Sequence, residues 1–275
     1  MPVYCMTPYS TVQVMREWNA DSYHQVSTPQ FDWGVAVLDR LPLDGHELVL
    51  DVGCGTGRLT ERLLERLPRG RVVAIDLSSN MLQAARGFLR PRFDSQVHLV
   101  MADAAALPTV GVADAIFSTA TFHWVHDHPR LFRSLHAALK PGGRVVAQCG
   151  GGANIARLHD RAAALMRDSR FAPYFTSWQE PWEFSDAATT AHRLEEAGFK
   201  DVRTSLVPTP LVQSDATAYR AFITTVICRP HLAHLAGPTL QDAFVQHLTE
   251  LASADTPPFE LDYWRLNLEA RKPAA

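Results

Sequence analysis

Short apolar runs alternate with amphipathic stretches along the first half of the chain. Runs typical of buried strands begin near residues 49, 71, 97, 113 and 143, and helical stretches between them include 59–67 and 129–139. Near-continuous apolar runs indicate strands buried on both faces, and the helical stretches indicate crossover connections. This rhythm predicts an α/β fold with a doubly wound, mostly parallel sheet.

The rhythm stops after the glycines at 150–152. A helical pattern at 154–168 precedes the segment FAPYFTSWQEPWEF, whose aromatic and proline content does not suit a solvated linker. Core patterns return at 187–207, a second helical segment occupies 215–253, and the alternating run at 259–270 is typical of an edge strand. We therefore expect a seven-stranded sheet with a helical cap, divided into N-terminal helices and cofactor-binding core (1–150), cap insert (151–185), return to the core (186–213), second cap insert (214–257) and last core strand (258–275).

The most informative segment is VLDVGCGTGR at 49–58, where an apolar run containing Asp51 breaks into glycines at 53, 55 and 57. A strand that enters such a turn brings bare backbone close to a ligand at the carboxyl end of a parallel sheet. The spacing fits neither the dinucleotide pattern G-x-G-x-x-G nor the P-loop with its lysine. With an acid in the turn, we expect a guest that is cationic or rich in hydroxyls and amines, and not a phosphate.

Two further acids close the next strands. Asp76 ends the run Arg71–Asp76, and Asp103 follows the run at 97–102. A carboxylate at the tip of the second strand can accept two hydrogen bonds from a ribose diol, and we assign this role to Asp76. Each acid alone could equally be a helix N-cap or a solvated strand end. Three acids at three successive strand ends favour one shared binding site.

Composition agrees with one enzyme-sized domain bearing a cap. The chain has 275 residues, 20% of them charged, with a formal net charge of −3 and no basic stripe, so neither nucleic acid nor an anionic membrane is an expected partner. The four cysteines form no C-x-x-C pair, which argues against a zinc site or a disulfide framework. We expect a cytoplasmic protein with a small-molecule substrate, and the pattern does not predict an oligomeric state.

The acid before the G-x-G-x-G turn resembles the first motif of class I S-adenosylmethionine-dependent methyltransferases. The resemblance continues in SSNMLQAAR, FHWVHDHPRLFRSL and LKPGGRVVAQ, which follow the second strand, follow the fourth and enter the fifth. In detail the chain is similar to the trans-aconitate methyltransferase group, through Trp18, Asn19 and Tyr23 near its start and through SDATAYRAFITTVICRP later on. It departs from that group at His123 and in GGGAN after the fifth strand.

This resemblance implies a Rossmann-like class I methyltransferase fold, S-adenosylmethionine as the cofactor and a set of contacts to it. Asp51 would lie near the methionine ammonium, with Gly53 and Gly55 facing the methionine part. The other expected cofactor residues are Asp76 at the ribose, Leu77 and Met81 beside the adenine, Asp103 and Ala104 at its edge, Thr119 and Ala120 beneath the sulfur, and Tyr23, His24 or Gln30 from an N-terminal helix. Ordinary core packing is the alternative for Leu77, Met81 and the N-terminal helix.

The histidines of FHWVHDH could suggest a metal site together with Asp127. Adjacent side chains diverge in a tight turn, and the i, i+4 pairing of helical zinc ligands is missing, so we predict no metal. Asp127 and His128 suit helix entry and capping before Pro129. His123 can point into the mouth of the sheet, where it would act either as a general base or as a donor that orients the substrate.

The chemistry of the methyl acceptor separates these two roles. A carboxylate is already ionised at neutral pH and needs no base, whereas a phenol or an activated carbon does. We favour carboxylate O-methylation of a small organic acid, with Arg229, Trp124 and Trp178 as substrate contacts. The alternatives are C- or O-methylation of a terpenoid, polyketide or aromatic metabolite, and a module that binds S-adenosylmethionine without turnover.

Overall fold

The computed structural model describes residues 28–274, with side chains from residue 30. Its strands are β1 (Leu48–Val52), β2 (Arg71–Asp76), β3 (Val97–Met101), β4 (Ala113–Thr119), β5 (Leu139–Gly150), β6 (Lys200–Pro208), β7 (Leu211–Val212), β8 (Glu260–Leu261) and β9 (Trp264–Arg271). Its α-helices are α1 (Thr28–Leu38), α2 (Arg58–Glu65), α3 (Ser79–Phe93), α4 (His128–Ala138), α5 (Ala156–Leu165), α6 (Ala187–Glu196), α7 (Ala216–Phe222), α8 (Arg229–His234) and α9 (Gly237–Ser253). Short 3-10 turns cover Ala104–Ala106, Phe122–Trp124 and Ala172–Tyr174, and a π-helical turn covers Ile223–Ile227.

Seven strands form one sheet in the order β3-β2-β1-β4-β5-β9-β6. Strands β1 to β5 pair in parallel, and β9 runs antiparallel between β5 and β6. The strand order reverses between β1 and β4, which is the switch point where open α/β sheets bind ligands. The predicted fold class, a doubly wound and mostly parallel seven-stranded sheet, is confirmed.

The expectation that the last strand lies at an edge is wrong. β9 begins at Trp264, pairs with β5 on one side and β6 on the other, and leaves the edge position to β6. The preceding Glu260 and Leu261 pair instead with β7. The polar positions of β9 misled the prediction because Arg265 and Asn267 are buried rather than solvated.

Three buried clusters stabilise the molecule. Two of them pack helices against the opposite faces of the sheet, around Leu50 and Phe132 in one and Val49 and Leu63 in the other. The third, here called the cap cluster, joins α5 and the aromatic segment after it to α7, α8 and α9. Arg161 reinforces this junction by donating to both carboxylate oxygens of Asp255, at 2.9 and 2.5 Å.

Side-chain caps begin several of these helices. Ser78 accepts from the N–H of Met81 at the start of α3, and Asp186 accepts from Thr189 at the start of α6. Within residues 28–274, none of the helices has the length and apolar character needed to cross a bilayer.

Candidate functional site

The glycine turn after β1 leaves open space beside the backbone. Gly53, Gly55 and Gly57 have φ values of 81°, 54° and 87°, a region that disfavours other residues. A Cβ at Gly53 would lie 1.9 Å from Oγ1 of Thr121, whereas a Cβ at Gly55 would meet nothing within 4 Å. The side chain of Thr121 therefore packs against the turn at Gly53, whereas the backbone at Gly55 is open to a ligand.

The acids at the next two strand ends also shape this turn. Asp76 accepts from the N–H of Gly55 and the N–H of Ser78, both at 2.9 Å. Asp103 accepts from the N–H of Ala105 at 2.9 Å and caps a 3-10 turn. A carboxylate can accept up to about four hydrogen bonds, so these contacts are compatible with a ligand on the same groups. Asp103 is therefore an N-cap residue, which is the alternative role given above for each of these acids.

A cleft of about 410 Å³, here called the main cleft, opens at the carboxyl ends of the strands. Its volume lies in the range of roughly 300–1,000 Å³ that small-molecule sites occupy. Leu77 is 56% exposed at its rim, whereas Met81 is only 4% exposed and packs inward. Predicted residues that line it are Gly53, Gly55, Asp76, Leu77, Met81, Asp103, Ala104, Thr119, Ala120 and Trp124.

A smaller cavity of about 70 Å³, here called the side cavity, contains Asp51. The Asp51 carboxylate is 2% exposed and accepts from the Thr60 hydroxyl at 2.6 Å. Burial, with a smaller contribution from the nearby charge of Asp76, raises the pKa of Asp51 to about 7. Gln30 also lines this cavity, and its buried Oε1 has no hydrogen-bond partner among the described residues. A cationic group that donates hydrogen bonds would satisfy both side chains.

A third cavity of about 60 Å³, here called the cap cavity, lies between the sheet and the cap. It is lined by Gln30, Ala120, His123, Trp124, Asn154, Ile155, Trp182, Phe184, Val226, Ile227, Tyr263 and Arg265. Ala120 lines all three cavities and adopts a φ of 53°, which is uncommon for a residue other than glycine. The backbone at Ala120 is thus the point where the three spaces meet.

His123 is held in the wall of the cap cavity by backbone contacts. Its Nδ1 accepts from the N–H of Gly150 at 3.2 Å, and its carbonyl accepts from Glu183 at 2.9 Å. Burial lowers the pKa of His123 to about 3, with smaller contributions from the charges of Arg265 and His128. The ring is therefore neutral near pH 7, and a bond accepted at Nδ1 assigns the proton to Nε2. In this state the Nε2–H of His123 can donate a hydrogen bond.

Arg265 lines the cap cavity and is a candidate functional residue that the sequence patterns do not predict. It is 4% exposed on β9, and its Nε donates to Oε1 of Gln148 at 3.2 Å, while its guanidinium lies 4.7 Å from the ring centre of Trp33. Gln148 in turn donates to Oδ1 of Asn267 at 2.8 Å. An arginine and an asparagine within an apolar strand were the available signal. The alternation of this run also suits an edge strand, so the pattern does not single out Arg265.

Two predicted substrate residues lie elsewhere. Trp178 stacks on His231 in the cap cluster, with ring centres 4.5 Å apart, and does not line the cap cavity. Arg229 begins α8, where burial lowers its pKa, and it also lies outside the cavity lining. Trp124, the third, lies on both the main cleft and the cap cavity. Tyr23 and the alternative His24 fall outside the described residues.

Two further residues of the histidine segment, Asp127 and His128, have structural contacts. Asp127 caps α4 by accepting from the N–H of Arg130 at 2.9 Å. His128 is buried, with Nε2 at 3.0 Å from the carbonyl of Phe122 and Nδ1 at 3.1 Å from Arg193. In the described part of the chain, no group of three or more His, Cys, Asp or Glu side chains is arranged to hold a metal ion.

Comparison with protein families and relatives gives a consistent result. Residues 49–143 match the family model described as "Methyltransferase domain". A trans-aconitate 2-methyltransferase of Paracidovorax citrulli is 32% identical over 201 residues, which cover 70% of this chain and 69% of the relative. One from Rhodopseudomonas palustris is 31% identical over 67% of this chain and 66% of its own length. One from Deinococcus radiodurans is 29% identical over 93% of this chain and 92% of its own length.

Solved structures share the fold at lower identity. Phosphoethanolamine N-methyltransferase 2 of Haemonchus contortus, in complex with S-adenosyl-L-methionine, gives a TM-score of 0.61 at 19% identity, over 92% of this chain and 56% of that one. The [4+2]-cyclase SpnF gives a TM-score of 0.58 at 20% identity, over 89% of this chain and 81% of that one. At these identities the likeness concerns the fold and leaves the reaction open.

Proposed function

Because this chain belongs to the class I S-adenosylmethionine-dependent methyltransferase family, we propose that it transfers a methyl group to the carboxylate of a small organic acid. Relatives at about 30% identity are trans-aconitate 2-methyltransferases, a name that points to an acid as the methyl acceptor. Several of those alignments span about two thirds of the relative, so the acid itself is argued from this chain's own residues.

The described residues fit S-adenosylmethionine. The open space at Gly55 continues into the main cleft, where the Asp76 carboxylate would take the ribose and the neighbourhood of Asp103 and Ala104 the adenine. Asp51 and the unsatisfied Oε1 of Gln30 would take the methionine ammonium in the side cavity. When bound, this cofactor supplies an electrophilic methyl group attached to a positively charged sulfur.

The observation that carries the proposal is the pairing of Arg265 with a neutral His123 in one cavity. The guanidinium provides a fixed positive charge, and its charge reaches far enough to lower the pKa of His123. The amide oxygen of Gln148 accepts from Nε of Arg265 and so helps to orient the guanidinium. The site thus offers a carboxylate a cation and a donor.

This arrangement suits a reaction without a base. A carboxylate with an ordinary pKa of about 4 is ionised at neutral pH and already carries the attacking lone pair. Arg265 and the Nε2–H of His123 would position it beside Ala120, where the cavities meet. The opposite charges of the reactants cancel as the bond forms, and the apolar cap surfaces, which exclude water, favour such a step.

A transfer assay tests the proposal. The purified protein is incubated with cofactor labelled in the methyl group and with a panel of carboxylic acids and phenols, and the product is treated with mild alkali. Release of labelled methanol identifies a methyl ester. Label retained on phenols alone would replace acid methylation with the alternative chemistry.

Substitution of Arg265 sharpens that assay. Arg265→Met should lower kcat/KM for the acid by about 100-fold, because a buried charge pair costs roughly 2–5 kcal/mol to break. Cofactor affinity measured by calorimetry should change less than about twofold, a criterion that also verifies folding. Arg203→Met, on the exposed side of β6, is the matched control and should leave both constants unchanged.

Two other functions are alternatives to carboxylate methylation. The rings of Trp124, Trp182 and Phe184 around the cap cavity favour an aromatic or terpenoid acceptor methylated at carbon or oxygen, as the second candidate. A cofactor-binding module without turnover would show calorimetric binding and no labelled product from any acceptor.

We further propose that the protein works in the cytoplasm on a small molecule, and not on nucleic acid or membranes. Its formal net charge is −3, and its basic residues do not gather into a stripe along the sequence.

A further inference from the structure

The part of the cap-cavity wall formed by residues 28–274 carries one permanent charge. Among the described residues that line it, Arg265 is the one with a permanent positive charge. Asn154 is committed to the backbone, because its Oδ1 accepts from the N–H of Trp264 at 3.0 Å. The remainder of the lining is aliphatic, aromatic or a neutral polar group.

Taking the proposed carboxylate methylation as its basis, we propose that the methyl acceptor is a monocarboxylic acid with a compact apolar body, and not a di- or tricarboxylate such as trans-aconitate. The carboxylate would lie between Arg265 and His123, with the body directed toward the cap. The proposed acceptor thus differs from trans-aconitate, the acid in the names of the relatives.

The first argument is the charge available to a second carboxylate. An ionised carboxylate in a site shielded from water needs a cation or several donors of its own. His123 does not provide that cation near neutral pH, since it is buried and donates as a neutral ring. Arg161 and Arg157 of the first cap insert do not line the cavity and are engaged with Asp255 and Glu260.

The second argument is the shape of the opposite wall. Trp182 and Phe184 present parallel rings with centres 6.2 Å apart, and Ile155, Val226 and Ile227 complete the surface from both inserts. Such a surface gains free energy from burying hydrocarbon and loses it when it faces an ionised group. A branched aliphatic or single-ring body matches it.

The third argument is size. The cap cavity measures about 60 Å³, less than the roughly 150 Å³ of an engineered apolar cavity that binds benzene. Every acceptor therefore requires the cavity walls to move, a short branched acid the least, a single ring more and a long chain the most. We expect the preference isovalerate, then phenylacetate, then octanoate.

Binding and turnover together test this inference. Affinities for isovalerate, phenylacetate and trans-aconitate are measured by calorimetry on the protein saturated with S-adenosylhomocysteine, and kcat/KM is measured for the same acids. The monocarboxylic acids should exceed trans-aconitate by at least tenfold in both. Tighter binding of trans-aconitate, or binding of none of the acids, would overturn the inference.

The two readouts keep this inference distinct from the proposed function. If the monocarboxylic acids bind more tightly than trans-aconitate but no acid is methylated, the preference of the cap cavity for monocarboxylic acids stands, whereas carboxylate methylation fails. If trans-aconitate is methylated in preference, carboxylate methylation stands and the acceptor class fails.

A gain-of-charge variant provides an independent check. Val226→Lys places a second cation on the apolar wall and should raise the ratio of glutarate to isovalerate turnover by at least tenfold, whereas Val226→Met, of similar length, should not. Unchanged cofactor affinity in both variants verifies folding. An unchanged ratio in Val226→Lys would contradict the placement of the acceptor body against Val226.

Discussion

The main cleft and the cap cavity meet at Ala120 but are constructed in different ways. The main cleft forms where successive parallel strands end, and its key contacts involve backbone N–H groups, as between Gly55 and Asp76. The cap cavity forms where side chains from two inserts and an antiparallel strand converge, including Ile155, Val226 and Arg265. The first site depends on the fold and the second on particular side chains, so the cofactor site can be retained while the acceptor site changes.

The largest expected effect comes from obstructing the main cleft at its turn. Gly53→Ala places a Cβ 1.9 Å from Oγ1 of Thr121 at a φ of 81°, so the turn must distort. We expect cofactor affinity to fall more than 100-fold by calorimetry, with lower thermal stability. Gly87→Ala is the control, because that helical glycine has open space around its Cβ position and alanine favours helices. If the two variants lose cofactor affinity to the same extent, the turn at Gly53 has no special role in cofactor binding.

This contrast explains which parts of the molecule were predictable from the sequence. Asp51, Asp76 and Asp103 were predictable because parallel strands end at the same side of a sheet, so local patterns imply proximity. Arg265 was not, because its location depends on the pairing of β9 with β5, which places Gln148 beside Asn267 across 119 positions of sequence. No local pattern distinguishes that buried arrangement from an edge strand with one solvated face.

The positions of the predicted cap residues Trp178 and Arg229 were hard to predict for a related reason. Aromatic density around 171–184 correctly suggested packing, but the pattern cannot say which ring faces a cavity and which faces the cap cluster. Trp182 lines the cavity, whereas Trp178, four residues earlier, stacks on His231. The choice of Arg229 rested on its place in a motif, whereas access to the cavity depends on packing between distant helices.

The second prediction concerns Asp76, whose carboxylate both orders the turn and is assigned to the ribose. Asp76→Ala should weaken cofactor binding about 30-fold, equivalent to about 2 kcal/mol for one or two charge-assisted bonds. To separate the two roles, affinities are compared for 5′-methylthioadenosine and its 2′,3′-dideoxy form. The wild type should prefer the diol and the variant should not. If the variant still prefers the diol, a group other than Asp76 binds the ribose. Asp94→Ala, at the exposed end of α3, is the control.

The third prediction uses the raised pKa of Asp51, about 7, which burial causes. Binding of a cationic ammonium requires the ionised carboxylate, so cofactor affinity should fall about tenfold between pH 8 and pH 6. Calorimetry in two buffers should also show proton release on binding near pH 7. Asp51→Asn should remove this pH dependence, and a dependence that persists would locate the titrating group elsewhere.

The same shift affects the stability of the ligand-free protein in the opposite direction. A carboxyl whose pKa is higher in the folded state than in the unfolded chain binds more protons when folded, so the free energy of unfolding falls as pH rises from about 4 to 7. The loss amounts to at most about 4 kcal/mol for a shift of about three pH units. Denaturant unfolding without cofactor should show the decline, and Asp51→Asn should flatten it.

The smallest expected effect belongs to His123, and it tests the cap cavity by its pH profile. His123→Gln keeps an N–H donor on a different side chain and should lower kcat/KM for the acid acceptor about fivefold, or about 1 kcal/mol, less than the roughly 1.5–3 kcal/mol of a whole hydrogen bond to a charged group. Because the pKa of His123 is lowered to about 3, the activity of the wild type should show no limb from this ring between pH 6 and 8. A limb near pH 6–7 that disappears in the variant would make His123 a general base. It would then favour an acceptor that must lose a proton, such as a phenol, over the carboxylate that Arg265 is placed to receive.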